Sequence, residues 1–88
     1  MGLKMEHLIN CFEAAKQQKA EYIAVKIYME GFEKPEIIIN SKENFDKKLE
    51  YYKNVYDENL NLKSVPTIKI AAFTFGNDFE GIEKDLML

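Results

Sequence analysis

A run of alternating side chains restricts the fold of this sequence more than any other feature. From Tyr22 to Met29 the chain reads YIAVKIYM. Because successive residues of a β-strand point to opposite faces, the run predicts a strand with one apolar face and one half-polar face rich in tyrosine. The apolar face holds Ile23, Val25, Ile27 and Met29, and the other face holds Tyr22, Ala24, Lys26 and Tyr28.

A second strand follows this run after a short loop. Gly31 and Pro35 bracket the loop, and three consecutive isoleucines come directly after it at positions 37–39. This pattern is typical of a β-hairpin, so we expect the first two strands to pair antiparallel.

Apolar residues at helical spacing predict one helix before the hairpin and one after it. They are Met5, Leu8, Phe12 and Ala15 in the first helix, and Phe45, Leu49, Tyr52 and Tyr56 in the second. Asn40 with Glu43 three residues later resembles a capping box, which predicts that the second helix opens there.

The last third of the chain predicts a strand and a short helix. In the strand, 67–75, the inward phase passes from Ile68 and Ile70 to Phe73 and Phe75, so it slips by one residue near positions 71 and 72, which indicates a β-bulge. Asp78 can cap a final helix, which Gly81 weakens. The apolar residues of that helix are Phe79, Ile82 and Leu86.

The element order α-β-β-α-β-α predicts an α+β fold with a three-stranded mixed sheet, strand order 2-1-3, packed on helices. A helical crossover makes the second and third strands parallel, and a right-handed crossover places the third beside the first. With helices on one face, the other face is expected to carry Tyr22, Lys26, Tyr28, Ile38, Lys69 and part of the region around Phe73.

Length and composition favour one soluble domain, 1–88, with a loose N-terminus at 1–4. The chain has 88 residues, of which 47% are hydrophobic and 31% charged, a balance typical of a chain with a packed core. The longest apolar run is far shorter than the roughly 20 residues that span a bilayer, and no basic start leads into a signal segment. The single cysteine, Cys11, fits a reducing compartment. We therefore expect a cytoplasmic location and no membrane contact.

The basic residues disfavour nucleic acid as a direct partner. All 12 of them are lysines, and the net charge is -3. Arginine supplies the forked contacts to guanine and phosphate that dominate sequence-specific DNA recognition, and a negative chain gains little from phosphate backbones.

The sequence carries no recognisable catalytic or cofactor motif, so we expect a protein that is not an enzyme and needs no cofactor. Its only histidine, His7, lies in the first helix, and with Cys11 it provides too few ligands for a closed zinc site. A phosphate-binding loop needs closely spaced glycines. The glycines here are scattered, at positions 2, 31, 76 and 81.

Acidic residues crowd the C-terminal segment 78–85. Glu80 and Glu83, with Asp78, can be pictured as metal ligands, but their spacing does not match a calcium loop. The segment can also imitate a phosphate backbone and occupy a DNA-binding channel on another protein. The alternative is a solvated helix face, whose negative field Lys84 dilutes.

The aromatic residues point to a binding surface. Tyr22 and Tyr28 share one strand face with Lys26 between them, and Phe32 occupies the hairpin tip, where no core is within obvious reach. Tyrosine is favoured at interfaces because it offers a large apolar area and a polar tip. These residues predict a surface for a partner or a homodimer. The alternatives are that the final helix covers this face, or that Phe32 folds back over the sheet edge.

Two stretches of the chain resemble small accessory proteins of phages and prophages of low-GC Gram-positive bacteria. They are 36–56, EIIINSKENFDKKLEYYKNVY, and 70–86, IAAFTFGNDFEGIEKDL. The resemblance implies a category of role, because compact proteins of that kind often inhibit host machinery, including CRISPR and other defence systems.

Together these observations give a leading hypothesis, an alternative and a third possibility. The leading hypothesis is a non-enzymatic accessory protein that binds and inhibits a bacterial host protein in the host cytoplasm. Its contacts would be Tyr22, Lys26, Tyr28, Phe32, Glu80 and Glu83. The alternative is an oligomer that binds a small molecule or a nucleotide, with stacked tyrosines and a lysine at a subunit interface. The third is an enzyme with tyrosine and lysine as general acid and base, and it needs a cleft that a chain of this length is not expected to form alone.

Overall fold

The computed structural model describes residues 2–87 and confirms the α+β class and the order α-β-β-α-β-α. The helices are α1 (Met5–Gln17), α2 (Phe45–Val55) and α3 (Phe79–Met87), and the strands are β1 (Tyr22–Met29), β2 (Glu36–Ser41) and β3 (Ile68–Gly76). A 3-10 turn, Lys42–Asn44, links β2 to α2. In the predicted loose terminus, Met1 lies outside the described residues, and residues 2–4 are exposed and belong to no helix or strand.

The sheet has the predicted strand order, β2-β1-β3, but the prediction of a mixed sheet was wrong. Strand β1 pairs antiparallel with both of its neighbours. Strands β2 and β3 therefore run parallel, as a helical crossover requires, yet β1 lies between them. Every hydrogen-bonded pair is antiparallel for that reason.

The predicted bulge lies in β3 at Ala71. Lys26 of β1 faces Ala72, and the next residue, Ile27, faces Ile70, so Ala71 has no partner across the ladder. The extra residue changes the phase of the strand. Because of it, Ile70 before the bulge and Phe73 after it both contribute to the same core.

That core fills the space between the first sheet face and the helices α1 and α2. Its largest fully buried side chains are Leu8, Phe12, Ile23, Val25, Tyr52 and Leu60. Ile38 and Phe73 pack against this core rather than on the second face, where they were expected. Both stand opposite Val25 in the sheet, and opposed residues of neighbouring strands point to the same face.

Asn40 does not cap a helix, which corrects the prediction of a capping box. It lies within β2 opposite Ile23, so the ladder fixes its backbone in the extended form. Its side-chain Nδ2 is buried without a hydrogen-bond partner. Glu43 pairs with the side chain of Ser41 instead, and that hydrogen bond lowers the pKa of the exposed Glu43 carboxyl. The helix begins later, at Phe45.

The connection from α2 to β3 is a tight loop organised by Asp57. One carboxylate oxygen of Asp57 accepts hydrogen bonds from the backbone N–H groups of Asn59 at 2.9 Å and Asn61 at 3.0 Å. Leu60 between them has a left-handed backbone, φ 64, and a fully buried side chain. Left-handed geometry costs a branched residue free energy, and here burial of the leucine side chain offsets it.

Candidate functional site

Helix α3 covers half of the second sheet face, which is the alternative left open by the sequence. Ile82 and Leu86 of α3 form a small buried cluster with Ala24 of β1. The close approach depends on small residues in the sheet, since a Cβ added at Gly76 would lie 3.1 Å from Cγ1 of Ile82. At this end of the sheet the second face is therefore buried, and it forms a second, smaller core with α3.

Tyr22 belongs to this covered half. Its ring meets the ring of Phe79 edge to face, with 5.7 Å between the centroids and 88° between the planes. Tyr22 is half-buried and packs against the α3 cluster. The predicted contact surface is thus divided, because Tyr22 helps to seat α3 and does not share an open face with Tyr28.

The other half of the second face lies at the hairpin end of the sheet. Tyr28 is 45% exposed, and it stands opposite Lys69 of β3. The Lys69 ammonium lies 5.8 Å from the centroid of the Tyr28 ring, which is within cation–π range. Lys26, two residues before Tyr28 on the same face, is half-buried.

Phe32 lies at the tip of the hairpin, as the sequence predicts. Gly31 supplies the left-handed residue of the turn, φ 91, and the Phe32 backbone N–H bonds to the carbonyl of Met29 at 3.2 Å. The Phe32 side chain is 64% exposed, so it does not fold back over the sheet edge. We define the hairpin surface as Lys26, Tyr28, Phe32 and Lys69.

Glu80 and Glu83 lie on α3 and are exposed. The two ion pairs found within residues 2–87 are Lys16 with Asp46 and Lys42 with Glu21, so neither glutamate takes part in one. Asp78 of the same acidic segment has a structural role as the cap of α3. Its Oδ2 accepts a hydrogen bond from the backbone N–H of Gly81 at 3.2 Å, which caps α3 as predicted.

A surface cleft of about 410 Å³ lies where the end of α1 meets the start of α2. Its lining residues are Ala15, Lys16, Lys19, Ala20, Lys42, Phe45 and Asp46. Two of its lysines are engaged by carboxylates, Lys16 by Asp46 and Lys42 by Glu21. The only aromatic ring of the lining, Phe45, is buried and has no free face for a base to stack on.

Apart from the exposed Glu43, the groups with shifted pKa values lie in the core or against it, away from the hairpin surface. Burial raises the pKa of the Cys11 thiol to about 11 and that of the Tyr52 phenol well above its ordinary value. The pKa of Tyr56 is raised chiefly by burial and further by Tyr51. A thiol and phenols held in their protonated form are poor nucleophiles and bases at neutral pH, so this cluster is structural.

His7 also has a structural contact. Its Nδ1 accepts a hydrogen bond of 2.9 Å from the backbone N–H of Lys4, at the first turn of α1. Across positions 2–87, no three His, Cys, Asp or Glu side chains come together as a metal site would need. Within the same range, none of the helices has the length and apolar character to cross a bilayer.

The sequence predicts exposed side chains at Tyr28 and Phe32, which the structure has at its surface, and it leaves two features of the site open. Lys69 was placed on the second face, but its position over Tyr28 follows from a strand register that the sequence does not fix. The covering by α3 had a signal, since Ala24, Ala72 and Gly76 leave room for a helix on that face. Comparisons of the chain with models of protein families, with curated proteins and with solved structures return no match.

Proposed function

We propose that this protein acts without catalysis, by binding a bacterial host protein through the hairpin surface and inhibiting it. The observation that supports this best is the exposure of Phe32, 64% at the tip of the hairpin. Such a ring contributes little to the stability of the chain itself. Buried in a pocket on a partner, a phenylalanine side chain contributes about 1.5–3 kcal/mol from apolar area alone.

Tyr28 strengthens the proposal because its exposed ring already has a favourable contact. The Lys69 ammonium lies 5.8 Å from the ring centroid, and a cation–π contact at an exposed site, worth about 0.5–1 kcal/mol, favours the rotamers that keep the two groups together. Less side-chain entropy is then lost on binding, and aromatic residues of this kind dominate the energetics of interfaces. With Lys26 beside them, the surface fits an apolar pocket bordered by carboxylates.

The resemblance to phage accessory proteins directs the choice of partner to a bacterial host protein of the cytoplasm. A nuclease of a CRISPR or other defence system is the sharpest form of this proposal. Glu80 and Glu83, exposed on α3, would then provide a second contact by standing in for DNA phosphates.

Partner capture with matched variants tests the role of the hairpin surface. Tyr28→Ala and Phe32→Ala are each expected to lower recovery of the partner from a bacterial lysate at least tenfold. Tyr51→Ala is the control, because Tyr51 is 50% exposed and carries the Lys48 ammonium 5.3 Å above its ring, yet it lies on α2. Equal recovery by all three variants would reject the proposed surface.

Thermal unfolding of the same variants separates binding from folding. Phe32→Ala is expected to change the free energy of unfolding by less than about 0.5 kcal/mol, because the residue makes few contacts. A large loss of stability would place Phe32 in the core and remove the observation on which the proposal depends.

The contribution of α3 has its own test. Replacing both Glu80 and Glu83 with lysine is expected to abolish inhibition if the helix imitates DNA, since charge reversal turns attraction into repulsion. Unchanged inhibition would eliminate that contact and leave the hairpin surface alone. Native mass spectrometry of the purified chain covers the alternative, because a bound small molecule in an oligomer would favour ligand binding over protein inhibition.

A further inference from the structure

One backbone hydrogen bond at the end of β2 shows which residues of this strand direct their N–H and C=O groups toward β1. The backbone N–H of Lys42 bonds to the carbonyl of Glu21 at 2.9 Å, and these two residues continue the pairing of β2 with β1. In an antiparallel ladder bonded pairs alternate with unbonded ones. Glu36, Ile38 and Asn40 therefore point their N–H and C=O groups toward β1. Every second residue, at 37, 39 and 41, directs these groups away from the sheet.

The first part of the opposite edge of the sheet, at Ile68 and Ile70, is covered by another segment. The backbone N–H of Leu62 bonds to the carbonyl of Ile68 at 2.8 Å, and the N–H of Ile70 bonds to the carbonyl of Leu60 at 2.9 Å. The following residue, Ala71, forms the bulge. A covering segment and a bulge are two of the devices by which natural proteins prevent strands from pairing edge to edge.

Strand β2 has neither device. Its sequence, EIIINS, contains no proline, lysine or glycine, and its register with β1 is continuous. Among the described residues, no backbone hydrogen bond from another segment reaches the outer edge of Ile37 or Ile39, or the N–H of Ser41, whose carbonyl opens the 3-10 turn. Three β-branched residues on an open, regular edge provide a template for a further strand.

We propose that a second copy of this chain pairs with β2 in antiparallel orientation, about a two-fold axis at Ile39. In this register Ile39 faces the partner's Ile39, and Ile37 faces the partner's Ser41, so all the outward groups of both strands are bonded. A shift of the axis to Ile38 would bring Pro35, which has no N–H, opposite the partner's Ser41. The proposed register is the one that satisfies the whole edge.

The charges at the two ends of the strand fit the same register. Glu36 is exposed at the start of β2, and Lys42, whose ammonium also lies 3.2 Å from Oε1 of Glu21, follows its end. With the axis at Ile39, Glu36 stands opposite the partner's Lys42, and the symmetry repeats the pair. Opposite charges across a strand pair are favourable, and a two-fold interface must be complementary to itself.

A proline substitution tests the edge without disturbing the monomer. Ser41 has φ -78, close to the value that proline imposes, and its N–H faces outward. Ser41→Pro therefore removes one outward donor and keeps the ladder with β1. Ser41→Ala is the control, because it removes only the side-chain hydrogen bond to Glu43.

Sedimentation equilibrium of the purified chain, with no host protein present, gives the readout. One chain has a mass of 10.3 kDa. The wild type and Ser41→Ala are expected to sediment with twice this mass. Ser41→Pro is expected to be monomeric or to self-associate at least tenfold more weakly. Circular dichroism of all three should show the same secondary structure. A wild type that is monomeric at high micromolar concentration, or a dimer unaffected by Ser41→Pro, would overturn the proposal. If the chain is monomeric and Ser41→Pro abolishes partner capture, the edge receives a strand from the partner protein, and the proposal of a second copy is wrong.

Discussion

Helix α1 ends in a Schellman motif whose left-handed residue is a lysine. The N–H of Ala20 bonds to the carbonyl of Ala15 at 2.9 Å, and the N–H of Lys19 bonds to the carbonyl of Lys16 at 3.2 Å. Lys19 itself has φ 56. Glycine is the usual residue at this position because a Cβ crowds the backbone there. Lys19→Gly should therefore stabilise the protein, although glycine generally does the opposite.

Two opposing terms set the size of the effect. Left-handed geometry costs a residue with a Cβ about 1–2 kcal/mol. Against this gain, glycine lowers the free energy of unfolding by about 0.5–1 kcal/mol, because it gives the unfolded chain more backbone freedom. Lys19 is exposed and takes part in neither ion pair of the described residues, so loss of its side chain costs little. The net gain is about 0.5–1 kcal/mol, which for a domain of this length raises Tm by roughly 2–8 °C.

Thermal and urea unfolding followed by circular dichroism measure the change, and two variants control it. Lys19→Ala keeps a Cβ, so its stability should stay within about 0.5 kcal/mol of the wild type. Lys47→Gly places the same new residue on an exposed position inside α2, where it should cost about 1 kcal/mol. If Lys19→Gly melts at or below the wild-type temperature, the left-handed residue does not strain the end of α1, and the reasoning fails.

Three further changes test other parts of the structure. Tyr52→Phe removes a buried hydroxyl that has no hydrogen-bond partner, so in urea unfolding it should leave the free energy of unfolding unchanged or raise it by up to about 1 kcal/mol, and a clear loss would reveal a hidden partner. Burial raises the pKa of Cys11 from 9.0 to about 11, so its alkylation at pH 8 should be about 100-fold slower than that of an exposed thiol, whereas a rate within threefold would mean that the thiol is accessible. Asp57→Ala removes the acceptor of two backbone hydrogen bonds and should cost about 2 kcal/mol in urea unfolding, and an unchanged midpoint would show that the loop holds without it.

The elements of this fold are readable from the sequence because they depend on local periodicity. The alternation from Tyr22 to Met29 gives β1 with the correct bounds. The change of phase around Ala71 gives the bulge, since a strand with one buried face cannot shift its pattern by one residue without an extra residue. In these cases the residues that determine the structure are close together in the chain.

Other features of the structure could not be predicted from the sequence, because contacts between residues distant in the chain determine them. Asparagine is a residue type that helix N-caps favour, but the pairing of Asn40 with Ile23 keeps it in the strand. The apolar stripe of α3 predicts that the segment is a helix, but it does not predict which face of the sheet the helix covers. That choice depends on the space above Ala24 and Gly76, two positions that share a face only once the strands are paired.

The placement of α3 changes what the aromatic residues imply. On an open face Tyr22 and Tyr28 would form one contact surface, whereas here Tyr22 packs on Phe79 and only Tyr28 remains free beside the hairpin. If β2 pairs with a second copy, the two-fold axis is perpendicular to the sheet, because residues that face each other must share a face. Both hairpin surfaces then lie on the same side of one continuous sheet, at its opposite ends.

Such a dimer presents two equal binding surfaces in fixed relative positions. A partner that is itself symmetric, or that repeats its binding pocket, would gain from the high effective concentration of the second contact. The mass of the purified complex separates the cases. Two chains with two partner molecules would support both proposals together, whereas one chain with one partner would keep the hairpin surface and remove the dimer, because the two depend on different residues and can fail independently.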